Sequence, residues 1–361
     1  MTHGHAWILE EPGKPLVRKE RTWEGPAEGL ALLEVLGCGV CHTDLGFADG
    51  HVATKKGKPI VLGHEIVGRV LAVGGDGDKA RTLVGRRVLA PAVSPCGACA
   101  ACKRGRPTAC PTGRMPGNDA DGGFATHCYL PYRDVVVLDA ASGADGPIGA
   151  AKLEAWEIAP VADAATTAYQ AMVRADLADG DVAIFVGAGG VGGFGAQLAK
   201  AEGARVVALD VDDARLAPYK PMIDLIINVK DQDPRDVRKQ IRGWMKTEGL
   251  VDRPVRIFET SGTAPGQSLA FGLLERGGSL SVVGFTPEKL PLRFSNIMAL
   301  DADVHGNWGC DPQLYPGVMD PVLDGRVQVR PFIERRRLDD VNEVLAQMRS
   351  HQLTKRAVLV P

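Results

Sequence analysis

Four closely spaced cysteines constrain this chain more than any other feature of its sequence. Two residues separate each of the first three and seven separate the last two, at Cys96, Cys99, Cys102 and Cys110. Thiolates at these spacings can converge on one tetrahedral zinc without ligands from distant sequence. Because four thiolates fill the coordination shell, we expect a structural zinc that stabilises one lobe of the fold. No aromatic residue lies among the cysteines, which disfavours a nucleic-acid-binding zinc ribbon.

The composition is that of an ordinary globular protein. With 361 residues the chain exceeds a comfortable single domain, so two domains are expected. Its formal net charge of -2 gives no general attraction to nucleic acid or to a membrane surface. The segment Met1–Ala6 lacks a signal-peptide pattern, and no apolar run is long enough to span a bilayer. We therefore expect a cytoplasmic protein whose eight cysteines are reduced and available to metal.

A second group of metal-binding residue types lies upstream of the four cysteines. Cys41 and His64 are the natural first two ligands, and spacing alone does not identify the third. Asp163 is a carboxylate in an apolar stretch, where a lone charge is costly unless it is paired or bound to metal. A helix cap or a solvated side chain is the alternative for this residue. Zinc held by Cys, His and Asp would keep its fourth position for water or a substrate oxygen, as catalytic zinc does.

A glycine-rich turn between an apolar strand and a helix predicts a dinucleotide site. The strand covers Val182–Val186, and Asp210 ends the next strand. The helix N-terminus after the turn offers free N–H groups to a pyrophosphate. Asp210 is expected to bind the adenosine ribose and to repel a 2′-phosphate, although Arg215 would weaken the repulsion, so NAD is favoured over NADP. The residues of the predicted turn are Gly187, Gly189, Gly190, Val191 and Gly192.

The order of the predicted elements indicates an α/β protein. From Val182 onward apolar strands alternate with helical stretches, which favours a doubly wound parallel sheet with helices on both faces. The earlier sequence reads as strands and loops punctuated by Gly and Pro, with strands at Leu30–Leu36 and Ile66–Val73. The predicted domains are a β-rich catalytic domain at 1–164 and 305–361 and a dinucleotide-binding domain at 165–304.

These motifs and their order resemble the zinc-dependent medium-chain alcohol dehydrogenases over essentially the whole chain. The likeness rests on Gly-Val-Cys-His-Thr-Asp at 39–44, Gly-His-Glu at 63–65, the four cysteines and Gly-Ala-Gly-Gly-Val-Gly at 187–192. It implies a GroES-like catalytic domain with two zinc sites and an inserted Rossmann domain that binds NAD. In that family a zinc ligand precedes the Thr of a Thr-x-Tyr motif by four residues. The motif at 167–169 thereby implies Asp163 as the third ligand, where many relatives have Cys.

The resemblance also implies roles for residues near the ligands. Asp44 would orient His64 as its hydrogen-bond partner. Glu65 would enter the zinc coordination sphere while water exchanges. Arg356 would contact the cofactor pyrophosphate, and Thr167 would also lie in the cofactor site.

The reaction implied by the family is oxidation of an alcohol by NAD. Zinc would stabilise the alkoxide, the Oγ of Thr43 would accept its proton, and hydride would pass to the nicotinamide. Many relatives have a His five residues after the first zinc Cys, where this chain has Gly46. His42 or His51 would then continue the proton relay. A surface residue without a catalytic part is the alternative for His51.

A narrower likeness points to family members that oxidise a ring alcohol carried on coenzyme A during anaerobic breakdown of aromatic compounds. The segments that carry it include Asn118 and the pair Asn307 and Trp308, which are predicted to contact the substrate. Three lysines upstream of Gly63 would attract the phosphates of coenzyme A, although a solvated loop is the alternative. These lysines are Lys55, Lys56 and Lys58.

The sequence leaves three other functions open. The first is oxidation of a free alicyclic or benzylic alcohol, and the second is zinc-assisted addition of water to an enoyl-CoA or an enone. The third is a non-catalytic NAD-binding protein, against which the complete Cys41, His64 and Asp163 set argues. Dimers and tetramers are usual in the family, so a homo-oligomer with a small-molecule substrate is expected.

Overall fold

The structure is a computed structural model that describes residues 1–75, 77–139 and 141–361, without the side chains of residues 78 and 79. The chain forms two compact units. The first comprises Met1–Asp163, Gly309–Gly325 and Val329–Pro361. The second comprises Ala164–Trp308 and Arg326–Gln328.

Most elements before residue 164 are strands. They are β1 (Thr2–Leu9), β2 (Val17–Trp23), β3 (Leu30–Gly39), β4 (Ile60–Val61), β5 (Glu65–Val73), β6 (Arg87–Leu89), β7 (His127–Pro131) and β8 (Val136–Val137). Three short α-helices accompany them, α1 (His42–Ala48), α2 (Asp78–Leu83) and α3 (Ala100–Lys103). Short 3-10 helices cover Pro107–Ala109 and Ala155–Ala162.

Strands and helices alternate from residue 164 to residue 308. In order they are α4 (Ala164–Arg174), β9 (Val182–Val186), α5 (Gly190–Ala201), β10 (Arg205–Asp210), α6 (Asp213–Leu216), β11 (Leu225–Asn228), α7 (Pro234–Thr247), β12 (Val255–Glu259), α8 (Ala264–Gly272), β13 (Ser279–Val282), α9 (Ser295–Leu300) and β14 (Asp303–Gly306). The last part of the chain contains α10 (Tyr315–Leu323), β15 (Ile333–Arg337), α11 (Val341–Arg349) and β16 (Arg356–Val360). The remaining 3-10 helices cover Ala217–Tyr219, Pro312–Leu314, Arg330–Phe332 and Leu338–Asp340.

The first unit is organised around β3. Its larger sheet has the order β15-β16-β3-β5-β6-β8, with β7 also paired to β3, and β1 pairs with β2 and β4 in a separate sheet. Neighbouring residues of β3 such as Leu32 and Leu33 are both buried, so this strand has packed side chains on both faces. The core there includes Ile66, Phe124 and Leu359. Residues near the end of β3 are consequently held by strands on both sides.

The second unit contains one parallel six-stranded sheet in the order β11-β10-β9-β12-β13-β14. The first strand in sequence is central, and the chain winds outward to each side in turn, which is the doubly wound dinucleotide-binding topology. Every residue of β9 is buried, as expected for a strand covered on both faces. The predicted α/β fold class is confirmed.

The turn after β9 requires glycine for steric reasons. Gly187 has a φ of 100°, and a Cβ there would lie 2.7 Å from the Cα of Ser261. A Cβ on Gly192 would lie 1.9 Å from the carbonyl oxygen of Gly187. The hydroxyl of Thr260 donates to that same carbonyl at 2.8 Å, which ties the turn to the end of β12.

The sequence patterns locate the strands of the second unit more accurately than those near the N-terminus. The predicted strand at Val182–Val186 is β9, and the helix expected near Val191 is α5, which begins one residue earlier. The polar strand β2 was not predicted, because most of its residues are exposed and charged. A domain boundary at 304/305 would divide β14, which pairs with β13, and residues 305–308 instead belong to the second unit.

Among the described residues, no helix is both long enough and apolar enough to cross a membrane.

One buried ion pair fastens the short strand β6. Arg87 and Asp139 are almost fully buried, with the Nε of Arg87 2.9 Å from Oδ1 and its backbone N 2.8 Å from Oδ2. Burial acts to raise the pKa of Asp139, but hydrogen bonds from Arg87 outweigh it, and the pKa lies below its ordinary value.

We expect Asp139→Asn to lower the free energy of unfolding by about 3 kcal/mol at pH 7, because it leaves the Arg87 charge buried without its partner. Since the pKa of Asp139 is depressed, its contribution is present above the ordinary carboxyl pKa and is lost as pH falls through the folded-state value. The difference between wild type and variant in urea unfolding should therefore shrink below about pH 4. Asp145→Asn, which removes an exposed partner of Arg69, is the control and should change little. Equal stability of Asp139→Asn and wild type at pH 7 would contradict this account.

Candidate active site

Three side chains that can bind metal converge in the first unit. The Sγ of Cys41 lies 3.1 Å from the Nε2 of His64, and the Oδ2 of Asp163 lies 3.5 Å from the same nitrogen. Cys41 and His64 are buried, and the Asp163 side chain is partly exposed. The residues come from the start of α1, the turn before β5 and the end of the 3-10 helix Ala155–Ala162. The fold thus brings together the three predicted ligands from distant parts of the sequence.

Asp44 holds two of these segments together. Its Oδ2 accepts from the backbone N of Cys41 at 3.0 Å, and its Oδ1 accepts from the backbone N of Gly63 at 3.0 Å. Oδ1 also lies 3.2 Å from the Nδ1 of His64. Nδ1 has no hydrogen-bond partner among the described residues, so the contact with Asp44 is one of distance and charge. A carboxylate beside Nδ1 favours the tautomer that leaves the lone pair of Nε2 for a metal, and the orienting role of Asp44 stays a prediction.

The distances and the chemistry of this set fit zinc. Tetrahedral zinc with thiolate, imidazole and carboxylate ligands separates the ligand atoms by about 3.3–3.6 Å. The two separations from the Nε2 of His64, 3.1 Å to Cys41 and 3.5 Å to Asp163, are close to that range. Cys41 and Asp163 belong to two different groups of ligand atoms within 4.8 Å, which share His64. Burial opposes protonation of His64, but Cys41 and Asp44 outweigh it and the pKa of His64 lies above its ordinary value. Such a crowded set of anionic groups around one imidazole is suited to a divalent cation.

Glu65 and Arg356 form a buried ion pair beside the ligands. The Nε of Arg356 donates to Oε2 at 2.8 Å, and its Nη2 donates to Oε1 at 2.5 Å. The pair crosses β3 above Gly39, where a Cβ would lie only 1.9 Å from Oε2 of Glu65. Burial raises the pKa of Glu65 to about 7, while Arg356 acts in the opposite sense. Glu65 also lies within reach of His64 and Asp163, as an alternate ligand must.

The predicted proton-relay residues lie on α1 and in the loop that follows it. Thr43 is exposed, and its backbone N donates to the Sγ of Cys41 at 3.3 Å. This bond caps α1 and fixes the Thr43 side chain next to the predicted ligands. His42 is also exposed on the first turn of α1, whereas His51 is exposed in the loop beyond it.

The four-cysteine lobe has the geometry of a closed metal site. The Sγ–Sγ distances are 3.5 Å for Cys99 to Cys102, 3.8 Å for Cys99 to Cys110 and 4.0 Å for Cys96 to Cys102. Four thiolates around one zinc lie about 3.8 Å apart. All four are free thiols rather than disulfides. The predicted structural zinc set is therefore assembled as a single cluster.

Backbone amides and one arginine support this lobe. The N–H groups of Ala98 and Cys99 donate to the Sγ of Cys96, at 3.4 and 3.3 Å. The Ala98 bond is the main reason why the pKa of Cys96 falls to about 5, which favours the thiolate. Arg133, which the sequence patterns did not single out, donates to the carbonyl oxygens of Pro95 and Cys96. Its positive charge offsets the net negative charge that four thiolates leave on a zinc site.

The dinucleotide motif forms its predicted arrangement inside the second unit. Asp210 ends β10, and its Oδ2 accepts from the N of Ala188 in the glycine turn at 2.8 Å. Its Oδ1 accepts from the N of Val211 at 2.8 Å and of Asp212 at 3.1 Å. Gly189 caps α5, and Gly190 and Val191 begin it, so the helix N-terminus follows the turn directly. Arg215 lies 3.8 Å from the carboxylate of Asp212, a surface pair that partly occupies its charge.

Asn118 anchors the loop that carries the three lysines. Its Oδ1 accepts from the backbone N of Lys55 at 3.0 Å, and its carbonyl oxygen accepts from the N of Lys56 at 2.9 Å. The Nζ of Lys56 pairs with Asp121 at 2.5 Å. Lys55 and Lys58 are exposed. The amide oxygen of Asn118 therefore holds the loop, and its contact with substrate stays a prediction.

Asn307 and Thr167 are joined within the second unit. The Nδ2 of Asn307 donates to the carbonyl oxygen of Thr167 at 3.0 Å, which ties the end of β14 to α4. Both side chains are largely buried, whereas Trp308 is 50% exposed. Buried Asn307 thus has a structural bond, and the exposed Trp308 is the member of the pair available to a ligand.

Sequence profiles of known families cover most of this architecture. The profile "Alcohol dehydrogenase GroES-like domain" matches residues 27–140, and "Zinc-binding dehydrogenase" matches residues 190–324. An alcohol dehydrogenase of Geobacillus stearothermophilus is 31% identical over 357 residues, 98% of each chain. An alcohol dehydrogenase of Moraxella sp. is 28% identical over 98% of each chain. The chain belongs to the zinc-dependent medium-chain alcohol dehydrogenase family.

Solved structures agree with this assignment. The alcohol dehydrogenase of Aeropyrum pernix superimposes with a TM-score of 0.82 at 27% identity, covering 99% of this chain and 100% of that one. The alcohol dehydrogenase of Thermotoga maritima gives a TM-score of 0.85 at 26% identity, with both chains fully covered. The protein is a zinc-dependent alcohol dehydrogenase, an oxidoreductase, and the predicted GroES-like and Rossmann folds are confirmed.

We expect two zinc ions per chain with separable roles. Cys99→Ser should lose one zinc and lower the melting temperature, because it opens the closed thiolate cluster. Cys41→Ser or His64→Ala should lose the other zinc and abolish turnover while the protein still folds and binds the dinucleotide. Elemental analysis of each purified variant, combined with thermal unfolding, measures both effects. Active wild-type enzyme with fewer than two zinc ions per chain would contradict this assignment.

Proposed function

We propose that this chain oxidises a secondary alcohol to a ketone with NAD, at a zinc held by Cys41, His64 and Asp163. The observation that supports this most is the position of the Nε2 of buried His64, which lies 3.1 Å from the Cys41 thiol sulfur and 3.5 Å from the Asp163 carboxylate. Three protein ligands leave the open position that a catalytic zinc needs. The NAD-linked oxidation of secondary alcohols, followed by absorbance of the reduced cofactor, tests the proposal.

Thr43 and Asp44 would have separate roles in this reaction. When bound, zinc supplies the Lewis acidity that favours ionisation of an alcohol, and the nicotinamide accepts hydride. The Oγ of Thr43 accepts the hydroxyl proton of the substrate. Asp44 keeps the proton of His64 on Nδ1, so that the ligand nitrogen stays unprotonated throughout the reaction.

The proton taken up by Thr43 must then reach water. His42 is its neighbour on the first turn of α1, and His51 is exposed in the following loop. An imidazole side chain can both accept and donate a proton, so either residue could pass the proton to solvent. Gly46, at the position of a relay His in many relatives, cannot take this part.

The choice of NAD is supported by the end of β10. Asp210 is buried and accepts three backbone N–H groups, which fixes its carboxylate beside the glycine turn. A fixed negative charge there binds ribose hydroxyls and repels a 2′-phosphate. Arg215 faces Asp212 and therefore offers the phosphate little attraction.

The proposed substrate is an alicyclic β-hydroxy acyl-CoA, best represented by 6-hydroxycyclohex-1-ene-1-carbonyl-CoA. The support comes from the likeness of the segments around Asn118 and Asn307 to the enzyme that oxidises this compound to its 6-oxo form. Exposed Lys55 and Lys58, on a loop anchored by Asn118, offer positive charge for the phosphates of coenzyme A. We propose that the enzyme acts in anaerobic degradation of benzoyl-CoA.

We also propose that the protein works in the cytoplasm as a homo-oligomer of two or four chains. Support comes from apolar side chains exposed near the edge strand β14 of the second unit. Phe294 is 74% exposed and Met298 is 76% exposed, and Val304 on β14 is also exposed. Exposed apolar residues grouped at a sheet edge favour association with another chain.

Wild-type enzyme should prefer NAD over NADP by at least about tenfold in kcat/KM, on the order of 1.4 kcal/mol. Asp210→Asn removes the charge and keeps one acceptor oxygen, which can hold the N–H groups of Val211 and Asp212 but not that of Ala188 as well, so it should reduce that preference toward unity. Asp212→Asn, which changes a partly exposed carboxylate nearby, is the matched control and should retain most of it. Steady-state kinetics with both cofactors gives the ratio. Equal use of NADP by wild type would overturn the assignment of Asp210.

Neutralising Lys55 and Lys58 together, by Lys→Gln at both positions, should raise KM for the acyl-CoA by about tenfold with little change in kcat. The phosphates are bound equally in the ground and transition states, so binding alone is lost. Lys56→Gln should have a smaller effect, because Lys56 is already paired with Asp121. The substrate proposal fails if the free ring alcohol turns over as efficiently as its thioester. An unchanged KM would exclude only the lysine loop.

A further inference from the structure

A fully buried carboxylate lies at the end of β12 in the second unit. Glu259 is the last residue of that strand and has no exposed surface. Its Oε1 accepts from the backbone N of Ser261 at 2.8 Å, from the hydroxyl of Ser261 at 2.6 Å and from the N of Gly262 at 3.1 Å. All three groups donate to Oε1, which acts only as an acceptor. Glu259 is therefore a buried carboxylate with one oxygen held by hydrogen bonds.

The second oxygen of Glu259 is not compensated. Oε2 is buried and has no hydrogen-bond partner within the described part of the chain. A Cβ on Gly284 would lie 2.7 Å from Oε2, so the backbone that follows β13 packs directly against it. Among the described residues, no lysine, arginine or histidine forms an ion pair with Glu259. An unpaired buried charge is costly unless a positive group comes close to it.

The topology identifies which ligand could supply that positive group. In a doubly wound sheet the dinucleotide lies across the carboxyl ends of the strands, with one mononucleotide half on each side of the central strand. Asp210, at the end of β10, assigns the adenosine half to the β9–β10 side. The nicotinamide half then belongs to β12 and β13, whose carboxyl ends carry Glu259 and Gly284.

We propose that Glu259 is a specificity-determining residue that favours the oxidised over the reduced nicotinamide, because only the oxidised ring carries a positive charge. The inference rests on the proposed use of NAD. The effect acts through space and requires no contact between Oε2 and the ring. It adds to Asp210, which distinguishes the adenosine ends of NAD and NADP. Because the attraction is lost when the ring becomes neutral, the reduced cofactor is bound less tightly than the oxidised one after alcohol oxidation.

Equilibrium binding of NAD⁺, NADH and ADP-ribose to wild type and Glu259→Gln tests this inference without catalysis. The variant should raise the ratio of the Kd for NAD⁺ to the Kd for NADH by about tenfold, because it removes a charge that attracts only the oxidised ring. ADP-ribose lacks the nicotinamide, so its Kd should change by less than about twofold in a correctly folded variant. Calorimetric titration gives all three constants.

Two controls separate charge from shape. Glu259→Asp keeps the charge and should keep the ratio near that of wild type. Glu275 pairs with Arg242 and precedes β13, so it lies at the amino ends of the strands, away from Glu259. Glu275→Gln removes this carboxylate and should also leave the ratio unchanged. If the amide nitrogen of Glu259→Gln is not accommodated beside Gly284 and ADP-ribose binding is lost, Glu259→Asn compared with Glu259→Asp repeats the test with a shorter pair.

The outcomes distinguish this inference from the proposed function. An unchanged ratio in a neutral variant that still binds ADP-ribose would overturn the role of Glu259 alone. Wild type that binds neither NAD⁺ nor NADH would overturn both. A raised ratio in the neutral variants, with wild-type ratios in Glu259→Asp and Glu275→Gln, would support the inference.

Discussion

The candidate active site depends on the carboxylate of Asp44. It is fully buried, and it binds the backbone N–H groups of Cys41 and Gly63 while facing the Nδ1 of His64. These bonds fix two segments that are 23 residues apart in sequence, so that Sγ and Nε2 lie 3.1 Å from each other. Charge-assisted hydrogen bonds to backbone amides are strong and directional. One carboxylate therefore sets the position of two ligands and the tautomer of one of them.

Charge and bond length explain why a carboxylate at Asp163 could serve as a zinc ligand where many relatives have cysteine. Asp163 and a thiolate carry the same charge, so the exchange preserves the electrostatic balance of the site. Zinc accepts either ligand at a bond length of about 2.0–2.3 Å. Asp163 follows a 3-10 helix whose last residues are buried, and this fixes the backbone from which its short side chain reaches His64. Glu65 lies nearby, but its carboxylate is bound by Arg356. The ion pair therefore keeps Glu65 from taking the position of Asp163.

Sequence reasoning succeeds here where ligands are close in sequence or where a local motif dictates a turn. The four cysteines and the glycine turn after β9 are of this kind, because short spacing or steric exclusion specifies the geometry. For Asp163, which lies 99 positions from His64 in sequence, the prediction comes only from family resemblance. The structure places its carboxylate 3.5 Å from the Nε2 of His64, and its role as a zinc ligand stays a prediction. Sequence reasoning does not find the contact of Glu65 with Arg356, since this pair is 291 residues apart and depends on β16 lying beside β3 above Gly39. The sequence patterns do not identify Arg133 or Glu259 either, because neither residue belongs to a local motif.

Each half of the dinucleotide-binding sheet has a strand that ends in a carboxylate bound by backbone N–H groups, and we infer a different role for each. Asp210 and Glu259 each end a strand, and each accepts backbone N–H groups from the residues that follow. The second oxygen of Asp210 accepts from the N of Ala188, so both oxygens of this carboxylate are hydrogen-bonded at the strand end that we propose binds ribose hydroxyls. The second oxygen of Glu259 has no such donor among the described residues. The strand on the adenosine side therefore presents a hydrogen-bonded carboxylate, which is proposed to bind the ribose hydroxyls and to disfavour a 2′-phosphate. The strand on the nicotinamide side presents an uncompensated charge, and a charge of that kind responds to the one property in which NAD⁺ and NADH differ most.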